Sequence, residues 1–302
     1  MTGFLTRLGA RLDTLGAARK MARFRDGWPA TASPNIKFHR TANAQYRYCD
    51  AGSGQTIIFV VDGPMTIEVY GPVIATFSAR FRVVVVEMPA MGFSVAGSAF
   101  DFEFRSTNDD LAEFIREVCG EGSIFAFSCV TSLAALDIAA RMPELVTHLT
   151  LIQGGGTQAF ARFKAGRDPK GILARPIFGQ LAMARMAPKR MPKWYALTVG
   201  RKEQIPHLCE CAERSFAQGA MWSLASAFQI YMAKRDELPA PQQPILSIWG
   251  AADGSHPADN VHSLARLYGD VTCVTFDDLG HTPEIEDPGA VFAAITDFVD
   301  RR

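Results

Sequence analysis

Residues Ser123 to Pro143, SIFAFSCVTSLAALDIAARMP, set a thiol among hydroxyls on one short stretch. The apolar run Ile124 to Phe127 stops at Ser128-Cys129-Val130-Thr131-Ser132. Leu133, Leu136, Ile138 and Ala140 then recur at a spacing that suits a helix ending before Pro143. A nucleophile on such a strand, sharp turn and helix projects above the sheet. The amide that follows it, here that of Val130, points into the same space from a helix N-terminus. The chemistry would be attack on an acyl carbonyl with the amide stabilising the oxyanion. The plainer reading of Cys129 is a small buried hydrophobe. Cys209-Glu210-Cys211 with His207 nearby has the wrong internal spacing for the usual zinc knuckles, and no metal site is expected there.

The elements that must hold these residues come from a chain of 302 residues that is 48% apolar, enough to bury a large core as one domain with an insertion or as two domains. The 31 basic residues balance 31 acidic ones, which removes a global nucleic-acid footprint. Apolar runs fall far short of the roughly 18 to 20 residues of a membrane span. Neither the N-terminus nor the six sparse cysteines suggest secretion, so reduced thiols and a cytoplasmic location are expected.

Residues 1–35 form a basic amphipathic extension. Phe4, Leu5, Leu8, Leu12 and Leu15 recur at helical spacing among Arg7, Arg11, Arg19, Lys20, Arg23 and Arg25, as expected of a helix docked on the domain, on a second subunit or on a membrane surface. Strands are expected at Ile36 to Phe38, Tyr46 to Cys49, Thr56 to Val61, Phe81 to Val86, Ile124 to Phe127, Leu145 to Ile152, Pro244 to Gly250 and Val271 to Phe276. Between them Ser106 to Asp109 reads as the cap of a helix Leu111 to Val118, and Gly154-Gly155-Gly156 as a flexible exit from the core. This alternation predicts an α/β fold with a mostly parallel sheet covered on both faces.

From Thr157 to Leu238 the alternation lapses into short helical stretches punctuated by Pro169, Pro176, Pro188, Pro192 and Pro206. This segment is rich in Met and aromatic residues and carries 14 basic against 6 acidic residues, a net of +8. The default reading is a solvated helical surface. A basic face beside an apolar lid would also steer an anionic partner toward a hydrophobic substrate site.

The stretch around Cys129 resembles the nucleophile elbow of the α/β-hydrolase superfamily, usually Gly-x-Ser-x-Gly. Aligned on Ala139-Ala140-Arg141-Met142-Pro143, it puts Cys129 where the nucleophilic Ser stands, with Phe127 and Thr131 in place of the glycines. Ile245 to Asp253 resembles the strand and Gly-x-x-Asp turn that supplies the triad acid. Gly280-His281-Thr282-Pro283 resembles the segment carrying the catalytic His, and Glu87 to Ser94 the Asp-x-Pro-Gly-x-Gly-x-Ser loop. The resemblance implies an α/β-hydrolase core of 36–156 and 239–302, a helical cap of 157–238, and a Cys129-Asp253-His281 triad. His256 is a weaker candidate for the base.

In the superfamily the third strand leads into a His-Gly-x loop that lends an oxyanion amide. Here that loop reads Asp62-Gly63-Pro64, and Pro64 has no N–H, so Met65 or another amide must substitute. Together these features imply an acyltransferase or thioesterase working through a thioester on Cys129. Its substrate would be a hydrophobic acyl chain linked to an acyl carrier protein or coenzyme A, with no cofactor and no metal, and a homodimer is a possible assembly. An ester or lactone hydrolase of small metabolites is the nearest alternative, and a non-catalytic binding homologue the alternative from another class. A cysteine engineered in place of serine to trap a complex is a further possibility.

Overall fold

A computed structural model describes residues 3–24 and 35–301; of the N-terminal extension, residues 1–2 and 25–34 lie outside it. Helix α1 spans Phe4–Phe24. Strands β1 (Ile36–Arg40) and β2 (Ala44–Ala51) form an antiparallel pair, followed by β3 (Thr56–Val60), α2 (Gly71–Phe77) and β4 (Arg82–Val86). Next come α3 (Phe104–Val118), β5 (Ser123–Ser128), α4 (Ser132–Arg141) and β6 (Val146–Ile152). Residues 157–238 supply α5 (Thr157–Arg167), α6 (Phe178–Thr198) and α7 (Ile205–Ala217). Strands β7 (Ile245–Gly250) and β8 (Val271–Phe276) and helix α8 (Pro288–Asp300) complete the core.

The main sheet runs β1-β2-β4-β3-β5-β6-β7-β8, parallel from β4 to β8, with a two-residue strand at Val95–Ala96 beside β2. Period-two alternation explains how its strands can be apolar throughout. Ile57, Phe59, Val83, Val85 and Ile124 point to one face, which α8 covers with Val291, Ile295 and Phe298. Ile58, Val60, Val84, Val86 and Phe125 point to the other, beneath Leu111 and Ile115 of α3 and Ala135 and Ile138 of α4. A third apolar cluster joins the turn after β5 to residues 157–238, with Cys129 and Leu133 packed among Phe160, Phe163, Phe228 and Tyr231.

Three local expectations are corrected. Helix α3 opens at Phe104 and not at Leu111, because Asp101 Oδ1 accepts from the Glu103 N–H at 2.9 Å and the Ser106 hydroxyl at 2.6 Å. Ser106 to Asp109 therefore lie inside the helix. Helix α6 runs unbroken through Pro188 and Pro192. Both prolines and Ala184 are exposed, so the carbonyls they leave without an N–H partner face solvent. Gly154, Gly155 and Gly156 are buried and not a loose exit: a side chain at Gly156 would strike Leu267 and Glu237, whose carboxylate caps α5 at the Thr157 and Gln158 amides.

Candidate active site

Strand β5 ends at Ser128, and the chain turns through a 3-10 segment, Cys129–Thr131, before α4. Cys129 sits at φ +49°, a left-handed conformation that an L-residue with a side chain holds only when its surroundings enforce it. The enforcement is visible: β5 is paired on both sides, and the Thr131 hydroxyl donates to the Ser128 carbonyl at 2.6 Å. The thiol is thereby presented on the helix side of the turn, 4% exposed, at the base of a cavity. Ser128 points elsewhere: its hydroxyl donates to Glu284 Oε1 at 2.8 Å, and Tyr70 reaches the same oxygen at 3.3 Å.

Asp253 and His281 arrive from the turns after β7 and β8. His281 Nδ1 donates to Asp253 Oδ2 at 2.7 Å, and its ring is 3% exposed. The carboxylate is saturated with further donors, Gln153 Nε2 at 2.8 Å, His256 Nδ1 at 2.9 Å and the Ser255 amide at 2.8 Å. Burial alone would raise the pKa of Asp253. The His281 charge and the hydrogen bonds from His256 and His281 outweigh it, holding the group well below the carboxylate range. His256 stacks on His281 with ring centroids 5.1 Å apart and shares its acceptor, so it buttresses the ring. Gln153, which primary structure marks only as the residue before three glycines, is held at φ +47° and clamps Asp253 against the end of β7.

The third strand contributes what sequence reasoning missed. Asp62, in the place of the superfamily's loop histidine, hydrogen-bonds His281 Nε2 through Oδ2 at 3.0 Å. Ligand atoms of Asp62, Cys129 and His281 all lie within 4.8 Å of one another, as do those of Asp253, His256 and His281. Either trio is spaced to hold a metal ion, yet both share His281, whose two nitrogens already face carboxylates. Burial disfavours the charged ring, but Asp253, the Cys129 sulfur and hydrogen bonds to both carboxylates together keep the His281 pKa well above its ordinary 6.5. Burial first, then Asp62, push the Cys129 thiol up to about 11, with His281 pulling the other way. The site thus sets the Cys129 thiol beside an imidazole held between the Asp253 and Asp62 side chains.

Of the expected oxyanion and binding residues, Val130 and Gly63 line the cavity beside Cys129. Pro64 and Met65 are not among the residues that line it. Gly63-Pro64 is a cis peptide, and the Met65 N–H closes a turn on the Asp62 carbonyl at 3.0 Å, so it has no proton to spare for an oxyanion. The Glu87 loop is structural, as its residue types suggest. Buried Glu87 accepts from Arg47 Nη1 at 2.8 Å and from the Ile67 and Phe93 amides, while Ser94 Oγ donates to the Glu87 carbonyl at 2.7 Å.

Beside Cys129 lies a cavity of about 100 Å³, with Met88, Met91, Phe102, Trp194, Trp222 and Phe228 among its walls. Among the described residues one Lys or Arg reaches it: the Arg167 guanidinium lies 4.0 Å above the centre of the Trp194 ring. The site can therefore accept an apolar group over a thiol, with one positive charge at its side. No helix among the described residues is long and apolar enough to cross a membrane.

No protein-family model matches the chain. It is 22% identical over 256 residues, 82% of this chain and 96% of the relative, to a pimeloyl-[acyl-carrier protein] methyl ester esterase of Aeromonas hydrophila subsp. hydrophila. A Pseudomonas aeruginosa structure provisionally assigned as an epoxide hydrolase superposes with a TM-score of 0.73 at 15% identity, covering 88% of this chain and 95% of that one. A bacterial membrane phospholipase A, a virulence factor, gives 0.66 at 17% identity over 97% of this chain and 94% of its own. These relatives are named as enzymes of hydrolase and esterase type, and the chain shares the α/β-hydrolase fold with the solved structures among them.

Proposed function

We propose that the chain is a cysteine-dependent acyl-transfer enzyme whose catalytic residues are Cys129, His281 and Asp253. The observation that carries this reading is a thiol held at a positive-φ turn, within 4.8 Å of an imidazole that a saturated carboxylate orients, beneath an apolar cavity. In the reaction, Cys129 gives its proton to neutral His281 Nε2 and Sγ bonds to the acyl carbonyl carbon. The tetrahedral intermediate expels the leaving thiol or alcohol, which takes the proton from His281. The acyl group rests on Cys129 as a thioester. Water or an acceptor nucleophile, deprotonated by His281, then releases it and restores the thiol.

Residues 157–238 act as the cap, and Val130 supplies the oxyanion amide. An acyl chain borne on a carrier protein or coenzyme A suits this site, because the walls are apolar while the cap segment is basic. The esterase reading is favoured by one specific finding, the 22% likeness to an esterase of an acyl-carrier-protein ester. It differs only in the leaving group and in water as the acceptor.

Intact-mass spectrometry after mixing with acyl thioesters and aryl esters of graded chain length tests the proposal. An acyl adduct that requires both Cys129 and His281 is expected, with Cys129→Ala and His281→Ala as controls. Absence of any adduct or turnover, with ligand binding retained, would leave a binding protein.

A further inference from the structure

We propose that α1 is a docking helix for an anionic lipid surface. The helix packs with its small and polar side inward. A Cβ at Gly9 would lie 2.9 Å from the Gln180 side chain, Ala10 and Thr14 are buried, and Asp13 accepts the Ser226 hydroxyl. That orientation turns the large apolar residues the other way. Phe4 is 79% exposed, and Leu5, Leu8, Leu12 and Leu15 share its outward side. A helix that only completed the core would bury this stripe and expose Asp13 and Thr14.

The patch extends beyond the helix. Gln180, which meets Gly9, belongs to the first turns of α6, where Phe178 is 70% and Leu181 60% exposed. Most of the exposed large hydrophobic residues among those described thus gather on one side of the molecule, as expected of an interaction site. The charged residues of α1 and α6 themselves are basic apart from Asp13. Arg7, Arg11 and Arg19 are exposed beside the stripe, Arg185 lies two turns along α6 from Phe178, and the acid of the described part of α1, Asp13, faces inward. A second copy would bring arginines against arginines, whereas an anionic headgroup layer pairs with them while the leucines enter the acyl boundary.

Position adds a consequence. Ala10 packs in one cluster with Phe100 and Phe102, and both phenylalanines line the cavity above Cys129. The exposed stripe is therefore separated from the cavity wall by α1 itself and the phenylalanine layer beneath it, so docking would bring a membrane surface near the site. The inference about α1 stands whether or not Cys129 is catalytic.

Vesicle co-sedimentation of the whole protein tests it, comparing phosphatidylcholine alone with an equal mixture of phosphatidylcholine and phosphatidylglycerol. Binding to the anionic vesicles is expected, weakening as salt rises. Leu8→Asp with Leu12→Asp should reduce it roughly a hundredfold or more, since two buried leucines would be lost. Circular dichroism and thermal unfolding should not change, because both side chains face outward. Arg7→Glu with Arg11→Glu should abolish the preference for anionic lipid. The proposal is overturned if the wild-type protein ignores anionic vesicles or if the aspartate pair binds as well as wild type. It is equally overturned if analytical ultracentrifugation shows a dimer that the aspartate pair dissociates while lipid binding is absent.

Discussion

Replacing Asp62 by Asn should make the enzyme faster at neutral pH, although the residue touches the catalytic ring. Asp62 Oδ2 lies 3.0 Å from His281 Nε2, with both side chains nearly inaccessible to water. At that separation and an effective dielectric of about 20, attraction between a carboxylate and an imidazolium is about 5 kcal/mol before desolvation is subtracted. Carboxylates so placed shift a partner by roughly 1 to 3 pKa units, or about 1.4 to 4 kcal/mol, which sets the expected scale. Asn keeps the shape and an acceptor oxygen but removes the charge.

In the proposed mechanism acylation needs neutral His281, whose fraction grows as pH rises through its pKa. Because that pKa is held well above 6.5, the rising limb of the wild-type profile should lie on the alkaline side of neutrality. In Asp62→Asn it should move down by about 1 to 3 units. The assay is single-turnover acyl-adduct formation from pH 5 to 10, followed by mass. An unmoved limb would show that Asp62 does not act through His281. Loss of adduct at every pH would make Asp62 itself the proton acceptor and sink the assignment of His281 as base.

Other outcomes follow from the same contacts. His281 is raised in the folded state, so its stabilising contribution is complete below the unfolded value of 6.5 and is lost as pH climbs through the folded pKa. Thermal scans should show stability declining on the alkaline side, and His281→Ala should flatten that decline. Ser128→Ala should still form the adduct, yet lose about 1 to 3 kcal/mol in denaturant titration, because buried Glu284 forfeits a donor. Arg167→Met should raise KM for acyl substrates ending in a carboxylate by at least about tenfold while leaving neutral chains unaffected. Equal KM changes for both would mean that Arg167 serves only to pack against Trp194.

Strands β3, β4, β5 and β7 were legible because they are buried on both faces and read as apolar runs, and the turns holding Cys129, Asp253 and His281 follow β5, β7 and the more exposed edge strand β8. Helix starts were less legible: α3 is set by Asp101, a residue outside the helical pattern. The site's least legible member was Asp62. In the sequence it marks the loss of a motif histidine, and its neighbour Pro64 marks the loss of an amide, so the pair reads as a damaged oxyanion loop. Its partner is 219 positions away, and only the assembled fold carries the carboxyl group to the ring. The loop then has a different use. In the proposed reaction it places a carboxyl group against the nitrogen that receives the thiol proton, which would couple the readiness of Cys129 to whatever displaces or neutralises Asp62. A substrate that excludes water while separating Asp62 from His281 would release the base at the moment the acyl carbon reaches the thiol. Structures of Cys129→Ala with a bound thioester would show this as an Asp62 to His281 separation well beyond 3.0 Å, and an intact contact would refute it.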